Sequence, residues 1–310
     1  MRKFLVTGGA GFIGNEICRL LISLGHEVIA FDNLSSGHIE NLSDLYNNPK
    51  FKFIKGDVTN YQQCLEASRN ADYIIHQAAL VSVPRSIEEP LLNNEINVKG
   101  FVNVLEAARS NLVKKVVYAS SSAVYGDNTD EIKVEERTGS LLSPYALSKQ
   151  ANEWYAKLYT KLYNLPTTGL RYFNVYGPKQ DPSSVYSGVI SIFFKKAKNH
   201  EDFTIFGDGS ITRDFIHVAD VAKANLQACL FENAKGEVYN IGTGRFVSIK
   251  ELANLVIKVT KARSKINYEK ARFGDIQYSC ANVNKALKQL GFQASITLEE
   301  GLKQMVNQIK

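Results

Sequence analysis

The chain is 310 residues long, 45% hydrophobic and 22% charged, with a net charge of +6 spread along its length. That length buries a large core in one big domain plus a smaller lobe, and the lack of any dense Lys/Arg block argues against nucleic-acid binding while suiting an anionic small molecule. No stretch approaches the ~18 apolar residues of a membrane span, and the apolar run after Met1-Arg2-Lys3 stops at Thr7, too early for a signal peptide.

Residues 3–6 predict a short apolar strand, followed by T-G-G-A-G-F-I-G and the periodic run Ile13, Ile17, Leu20, Leu21, Leu24, a helix closed by Gly25. Residues 27–31 predict the next strand, ending at Asp32. A strand, Gly-rich turn, helix, strand and acid within ~30 residues is the setting a dinucleotide fingerprint requires. The glycines satisfy two spacings, Gly9-Gly11-Gly14 and Gly8-Gly11-Gly14. Either lets the backbone approach a pyrophosphate, which then meets the N–H groups of the helix start. Asp32 is placed to accept from the adenosine ribose hydroxyls, and its charge repels a 2′-phosphate, so NAD is favoured over NADP.

The alternation continues. Phe51–Lys55 reads as a strand leading into Gly56-Asp57-Val58, and Thr59 with Gln62 predicts a capping box for the next helix. Tyr73–His76 is a strand running into Gln77-Ala78-Ala79, 91–110 a long helix, and 115–119 a strand running into Ser120-Ser121-Ser122. Ser143 and Pro144 start a helix continuing to about Tyr163, and 167–171 is a further strand. Strands alternating with helices predict a parallel doubly wound sheet of the Rossmann, NAD-binding kind. In such sheets ligands sit beyond the carboxyl ends of the strands, where Asp32, Asp57, Ala78, Ser121 and Tyr172 all fall.

Beyond Asn174 the rhythm changes: a loop at 178–187, a helix at Val189–Lys198, a strand in F-T-I-F-G-D-G, a helix at 218–232, a strand at 238–241 and a capping box at Ser248/Glu251. This predicts residues 1–173 plus about 216–243 as the dinucleotide domain, and about 174–215 plus 244–310 as a smaller α/β lobe for the substrate. Cys18, Cys64, Cys229 and Cys280 are widely spaced, with no C-x-x-C pair, which predicts reduced thiols in a cytosolic protein without disulfides or bound metal.

The helix start S-P-Y-A-L-S-K places Tyr145 in the opening turn and Lys149 four residues on, on one face. An ammonium beside a phenol and the positive end of the helix dipole both favour the phenolate, so this tyrosine is expected to accept a proton from a substrate hydroxyl near neutral pH. With 15 tyrosines in the chain, Tyr-x-x-x-Lys alone better describes a surface pair on an amphipathic helix.

Its company decides between the two. T-G-G-A-G-F-I-G, S-S-S-A-V-Y-G, Y-A-L-S-K, R-Y-F-N-V-Y-G-P, R-D-F-I-H-V and Y-N-I-G-T-G, in that order, resemble the extended short-chain dehydrogenase/reductases, and among them the nucleotide-sugar 4-epimerases. The likeness runs from residue 4 to about 292. It implies Tyr145 as the base, Lys149 as the group that lowers its pKa and holds the nicotinamide ribose, and Ser121 as the hydroxyl that orients the sugar 4-OH, with Ser120 or Ser122 one register away. Sugar C4 would give its hydride to a retained NAD, turn as a 4-keto sugar, and regain hydride on the opposite face. Further cofactor contacts are implied at Gly8, Gly11, Phe12, Ile13 and Gly14, at Asn33, Ser35, Ser36 and Gly37 beside Asp32, at Asp57 and Val58, at Gln77, Ala78 and Ala79, and at Asn97, Ala119 and Tyr172.

On the substrate side the resemblance implies UDP contacts from Asn174, Arg213, Arg272 and Asp275, the arginines offering a planar fork to the diphosphate. Ser82, Arg85, Ser122, Val189 and Thr204 are implied beside them. Phe206 lies against the uracil or in an ordinary core. Ser279 falls where hexose-restricted relatives carry a bulky Tyr, which leaves space for an N-acetyl group, and S-V-P-R-S and K-Q-D-P resemble relatives preferring N-acetylated sugars. The expectation is UDP-GlcNAc/UDP-GalNAc epimerisation in polysaccharide biosynthesis by a homodimer, with UDP-glucose/UDP-galactose, a UDP-uronic acid, or non-catalytic NAD and nucleotide-sugar binding as the alternatives. Dehydration or decarboxylation would need acidic residues where Ser122 and Ala123 stand.

Overall fold

In the computed structural model, residues 1–180, 188–232, 234–271 and 276–309 are described, with side chains to residue 306. Seven parallel strands form one sheet. In spatial order they are Glu237–Ile241, Thr167–Tyr172, Lys115–Ser121, Tyr73–His76, Lys3–Thr7, Glu27–Asp32 and Phe51–Lys55. The strands are apolar almost throughout because helices cover both faces, as parallel sheets require. On one face Phe4, Val6, Ile17, Leu21, Val117 and Leu170 form a core with the Phe12–Ser23 and Val218–Leu230 helices. On the other, Leu5, Ile74, Phe101, Val104, Val116 and Tyr118 pack with the Gly100–Ser110 and Pro144–Tyr163 helices. Chain order reverses between Lys3–Thr7 and Tyr73–His76, opening the crevice where ligands bind in such sheets.

A further core gathers Tyr176, Phe193, Phe203, Ile205, Leu252, Val256 and Leu302 from later in the chain. Beside it lies a four-stranded sheet in the order Val247–Ser248, Thr212–Arg213, Tyr278–Ala281 and Ile132–Lys133.

Three elements depart from the sequence reading. The helix after Asp57 is Tyr61–Ala67, capped by Asn60, whose side chain accepts from Gln63 N–H, rather than by a Thr59/Gln62 box. The Asp57 carboxylate captures the Thr59 N–H at 2.8 Å, so the chain enters the helix one residue later. The long helix at 91–110 is instead Pro90–Asn94, a π-helical turn at Glu95–Lys99, and Gly100–Ser110. The helix expected over 218–232 ends at Leu230.

Candidate active site

Two close approaches shape the crevice. Gly8 has φ +66°, and a Cβ there would stand 2.7 Å from Ala78 N, so the end of the first strand and the loop after Tyr73–His76 meet backbone to backbone. A Cβ on Gly14 would strike the Gly8 carbonyl oxygen. Only glycine fits at either place. The Phe12–Ser23 helix starts at Gly11 with no side-chain cap, leaving its first N–H groups directed at the crevice; Phe12 and Ile13 are half-buried in its first turn.

Asp32 closes the second strand. Its Oδ2 accepts from Ala10 N–H at 3.0 Å and its Oδ1 from Leu34 N–H at 2.8 Å. Burial raises its pKa against the pull of those two bonds. Asn33 donates to Asp57 at 2.9 Å and accepts from Ser35 N–H; Ser35 and Ser36 are exposed, while Gly37 packs under Ala10. Val58 is buried, with its carbonyl bonded by Asn103. Gln77 donates to the Tyr172 hydroxyl at 3.0 Å, and Ala78 and Ala79 are half-buried beside it. Asn97 commits its amide to Leu80, Asn93 and Ser148, so it fastens the crevice loop to the Pro144–Tyr163 helix.

Ser143 caps that helix by accepting from Ala146 N–H at 3.1 Å, and Tyr145 N–H donates to Ser86 Oγ. Ser121 lies beside the Tyr145 phenol and draws its pKa down, and its Oγ accepts from Ala123 N–H at 3.1 Å. Ser120 points elsewhere, donating to Glu153, and Ser122 is half-buried in the turn that follows. Lys149 Nζ donates to the Ala119 carbonyl at 3.0 Å and stands 5.8 Å from the Tyr145 ring centroid. The expected acidification of Tyr145 is corrected here. Burial raises its pKa and only Ser121 works the other way, while burial also pulls Lys149 down to about 8.

On the substrate side, Asn174 donates to the Asp214 carbonyl at 3.1 Å, and Arg213 pairs in register with Ser279. Arg213 also donates to the Thr212 and Ile276 carbonyls. Three residues from distant parts of the chain thus share one strip. Val189, Thr204 and Phe206 are half-buried nearby in sequence on the helix and strand of the later core. Ser82 caps the Val83–Glu88 helix, and Arg85 is turned outward to Glu89 at 2.8 Å. Arg272 and Asp275 lie outside the described residues.

Sequence reasoning missed Asp214. It is fully buried and accepts from Thr243, Gly244 and Ala281, holding the strip in place. It also missed the buried Arg171–Glu153 pair. For Asp214 and Arg171 the signal was a charge inside a motif otherwise read for its neighbours; for Glu153 it was a charge one turn beyond Y-A-L-S-K.

The sequence matches the NAD dependent epimerase/dehydratase family over residues 4–242. The chain belongs to this family. It is 42% identical over 308 residues, 99% of this chain and 98% of the other, to a putative UDP-glucose 4-epimerase of Methanocaldococcus jannaschii. The fold is similar to that of the UDP-N-acetylglucosamine 4-epimerase of Methanobrevibacter ruminantium, with TM-score 0.93 and 37% identity, covering 99% of this chain and 97% of that one. It is also similar to the Thermus thermophilus UDP-glucose 4-epimerase solved with NAD, with TM-score 0.88 and 34% identity over 99% and 98% of the two chains. This family member is an NAD-dependent enzyme of the epimerase type. The glycine cradle, the uncapped helix start and the Asp32 carboxylate fit that cofactor. Among the described residues no helix is long and apolar enough to cross a membrane.

Proposed function

We propose that the chain catalyses 4-epimerisation of a UDP-sugar with NAD retained throughout, and that UDP-GlcNAc and UDP-GalNAc are its preferred pair. The observation that carries this is the gathering of Lys149 and Ser121 about the Tyr145 phenol at a strand end, Lys149 Nζ 5.8 Å from its ring centroid and bonded to the Ala119 carbonyl, and Ser121 drawing the phenol's pKa down. NAD, when bound, supplies the acceptor and donor of hydride at sugar C4. Ser121 orients the 4-OH, and Tyr145 takes its proton and later returns it. Lys149, its Nζ 5.8 Å from the phenol ring centroid, holds the nicotinamide ribose. Arg213 and Arg272 grip the diphosphate, with Asn174 and Asp275 on the nucleoside.

The N-acetyl preference rests on Ser279, small and half-buried beside Arg213. Incubation with UDP-GlcNAc and with UDP-glucose separately, followed by product analysis, is the test: the 4-epimer of UDP-GlcNAc should form faster. Ser279→Tyr should depress that reaction on the order of 100-fold while sparing UDP-glucose. Conversion of UDP-glucose alone would favour the second reading, to which the 42% identical relative points. Conversion of neither refutes the proposal.

The same reading divides the chain into a dinucleotide domain of 1–173 plus about 216–243 and a nucleotide-sugar lobe from the rest. It includes a second copy of the chain over the exposed Leu91, Leu147, Trp154, Leu158 and Leu162, an apolar face on two neighbouring helices; a monomeric mass in solution would end that part. A cytoplasmic location agrees with the four buried free cysteines.

A further inference from the structure

Three consecutive residues at the end of the Lys115–Ser121 strand each meet one residue of the Pro144–Tyr163 helix. The Ala119 carbonyl accepts from Lys149, Ser120 Oγ donates to Glu153 Oε1 at 2.5 Å, and Ser121 lies beside the Tyr145 phenol. Tyr145, Lys149 and Glu153 are spaced by four and form one stripe of the helix. Ser120 and Ser121 are consecutive on one backbone, and Ser121 Oγ closes the turn that follows by accepting from Ala123 N–H, so the bond that anchors Ser120 also limits where Ser121 can stand.

Glu153 is held from behind. Arg171 grips it through two parallel bonds of 2.8 and 2.7 Å, and Gln150 adds a third at 3.2 Å. The guanidinium is itself fixed by the Tyr125 hydroxyl at 3.1 Å and the Glu135 carbonyl at 2.9 Å. Both charged side chains are almost wholly buried. A buried ion pair stabilises a fold little more than apolar side chains of the same volume would. Its presence on the Tyr145 helix, bonded to the residue next to Ser121, therefore asks for a role in geometry.

We propose that Glu153 and Ser120 are positioning residues: their hydrogen bond fixes the strand end so that the Ser121 hydroxyl meets that of Tyr145. The activity measurement rests on the epimerase reading above; the titration below does not.

Ser120→Ala removes the link and leaves Glu153 paired with Arg171. In this variant kcat should fall on the order of tenfold, with KM for the UDP-sugar within about twofold and the urea midpoint close to wild type. Tyr145 ionisation, read as the ultraviolet titration difference between each protein and its Tyr145→Phe counterpart, should move to higher pH as the Ser121 donor is lost. Ser120→Thr, which keeps the hydroxyl, should recover most of kcat. An unmoved Tyr145 midpoint in Ser120→Ala overturns the proposal, whether kcat holds or falls together with stability. A wild-type enzyme that turns over no UDP-sugar refutes the functional reading instead, and the titration still decides this one.

Discussion

Replacing Lys149 by Met should make the NAD-free protein more stable near neutral pH and less stable in alkali. Burial lowers the Lys149 pKa from 10.5 to about 8. At 1.36 kcal/mol per pKa unit, keeping the ammonium charged in the native state costs about 3 kcal/mol near pH 7. The native pKa lies below the unfolded one, so between about pH 8 and 10.5 the unfolded chain binds more protons and wild-type stability rises with pH. Near pH 10 the remaining penalty is about 1 kcal/mol. Against this, Met leaves the Ala119 carbonyl without its 3.0 Å donor, a loss of about 1–2 kcal/mol at any pH. The variant should therefore be more stable by about 1–2 kcal/mol near pH 7 and less stable by up to about 1 kcal/mol near pH 10. Urea unfolding of both NAD-free proteins at the two pH values measures the difference. A variant that is the less stable at neutral pH, or a difference that ignores pH, refutes the argument.

Other outcomes follow from the same geometry. Gly14→Ala drives a methyl into the Gly8 carbonyl oxygen, so the purified protein should carry little NAD on extraction even where its circular dichroism is native. Tyr145→Phe should abolish epimer interconversion while the cofactor content stays at the wild-type level; full activity would remove the phenol from the chemistry. Asp214→Ala strands the buried N–H groups of Thr243, Gly244 and Ala281. That should lower stability by about 3 kcal/mol or more, visible as a lower thermal midpoint.

What could be read from the sequence was what its residues do to near neighbours. Ser143 caps its helix and Ser248 forms a capping box with Glu251, as their spacing predicts. Gly25 takes a left-handed φ of +81° just past its helix. These are contacts within a few residues, and side-chain chemistry spells them out. Thr59 against Asn60 failed for a local reason too, since the Asp57 carboxylate competed for the same backbone. The rest depends on pairings across long stretches of chain. Asp214 finds its donors 29 to 67 residues away, and Arg171 meets Glu153 only once helix and strand have packed. The sign of the Tyr145 shift was illegible for the same cause: a motif shows which charge stands near the phenol, and not how much water folding removes.

The π-turn at Glu95–Lys99 has a consequence for how this segment can vary in length. It carries one residue more per turn than the helices on either side, which lets Asn97 reach inward to both Leu80 and Ser148 while Leu91 stays on the outer surface. Deleting that residue would restore ordinary winding but swing everything before it by about 100° around the axis. The inward amide would be lost and the exposed leucine turned aside in a single step. Insertions and deletions in related chains should therefore avoid this turn and collect beyond the two helices that flank it.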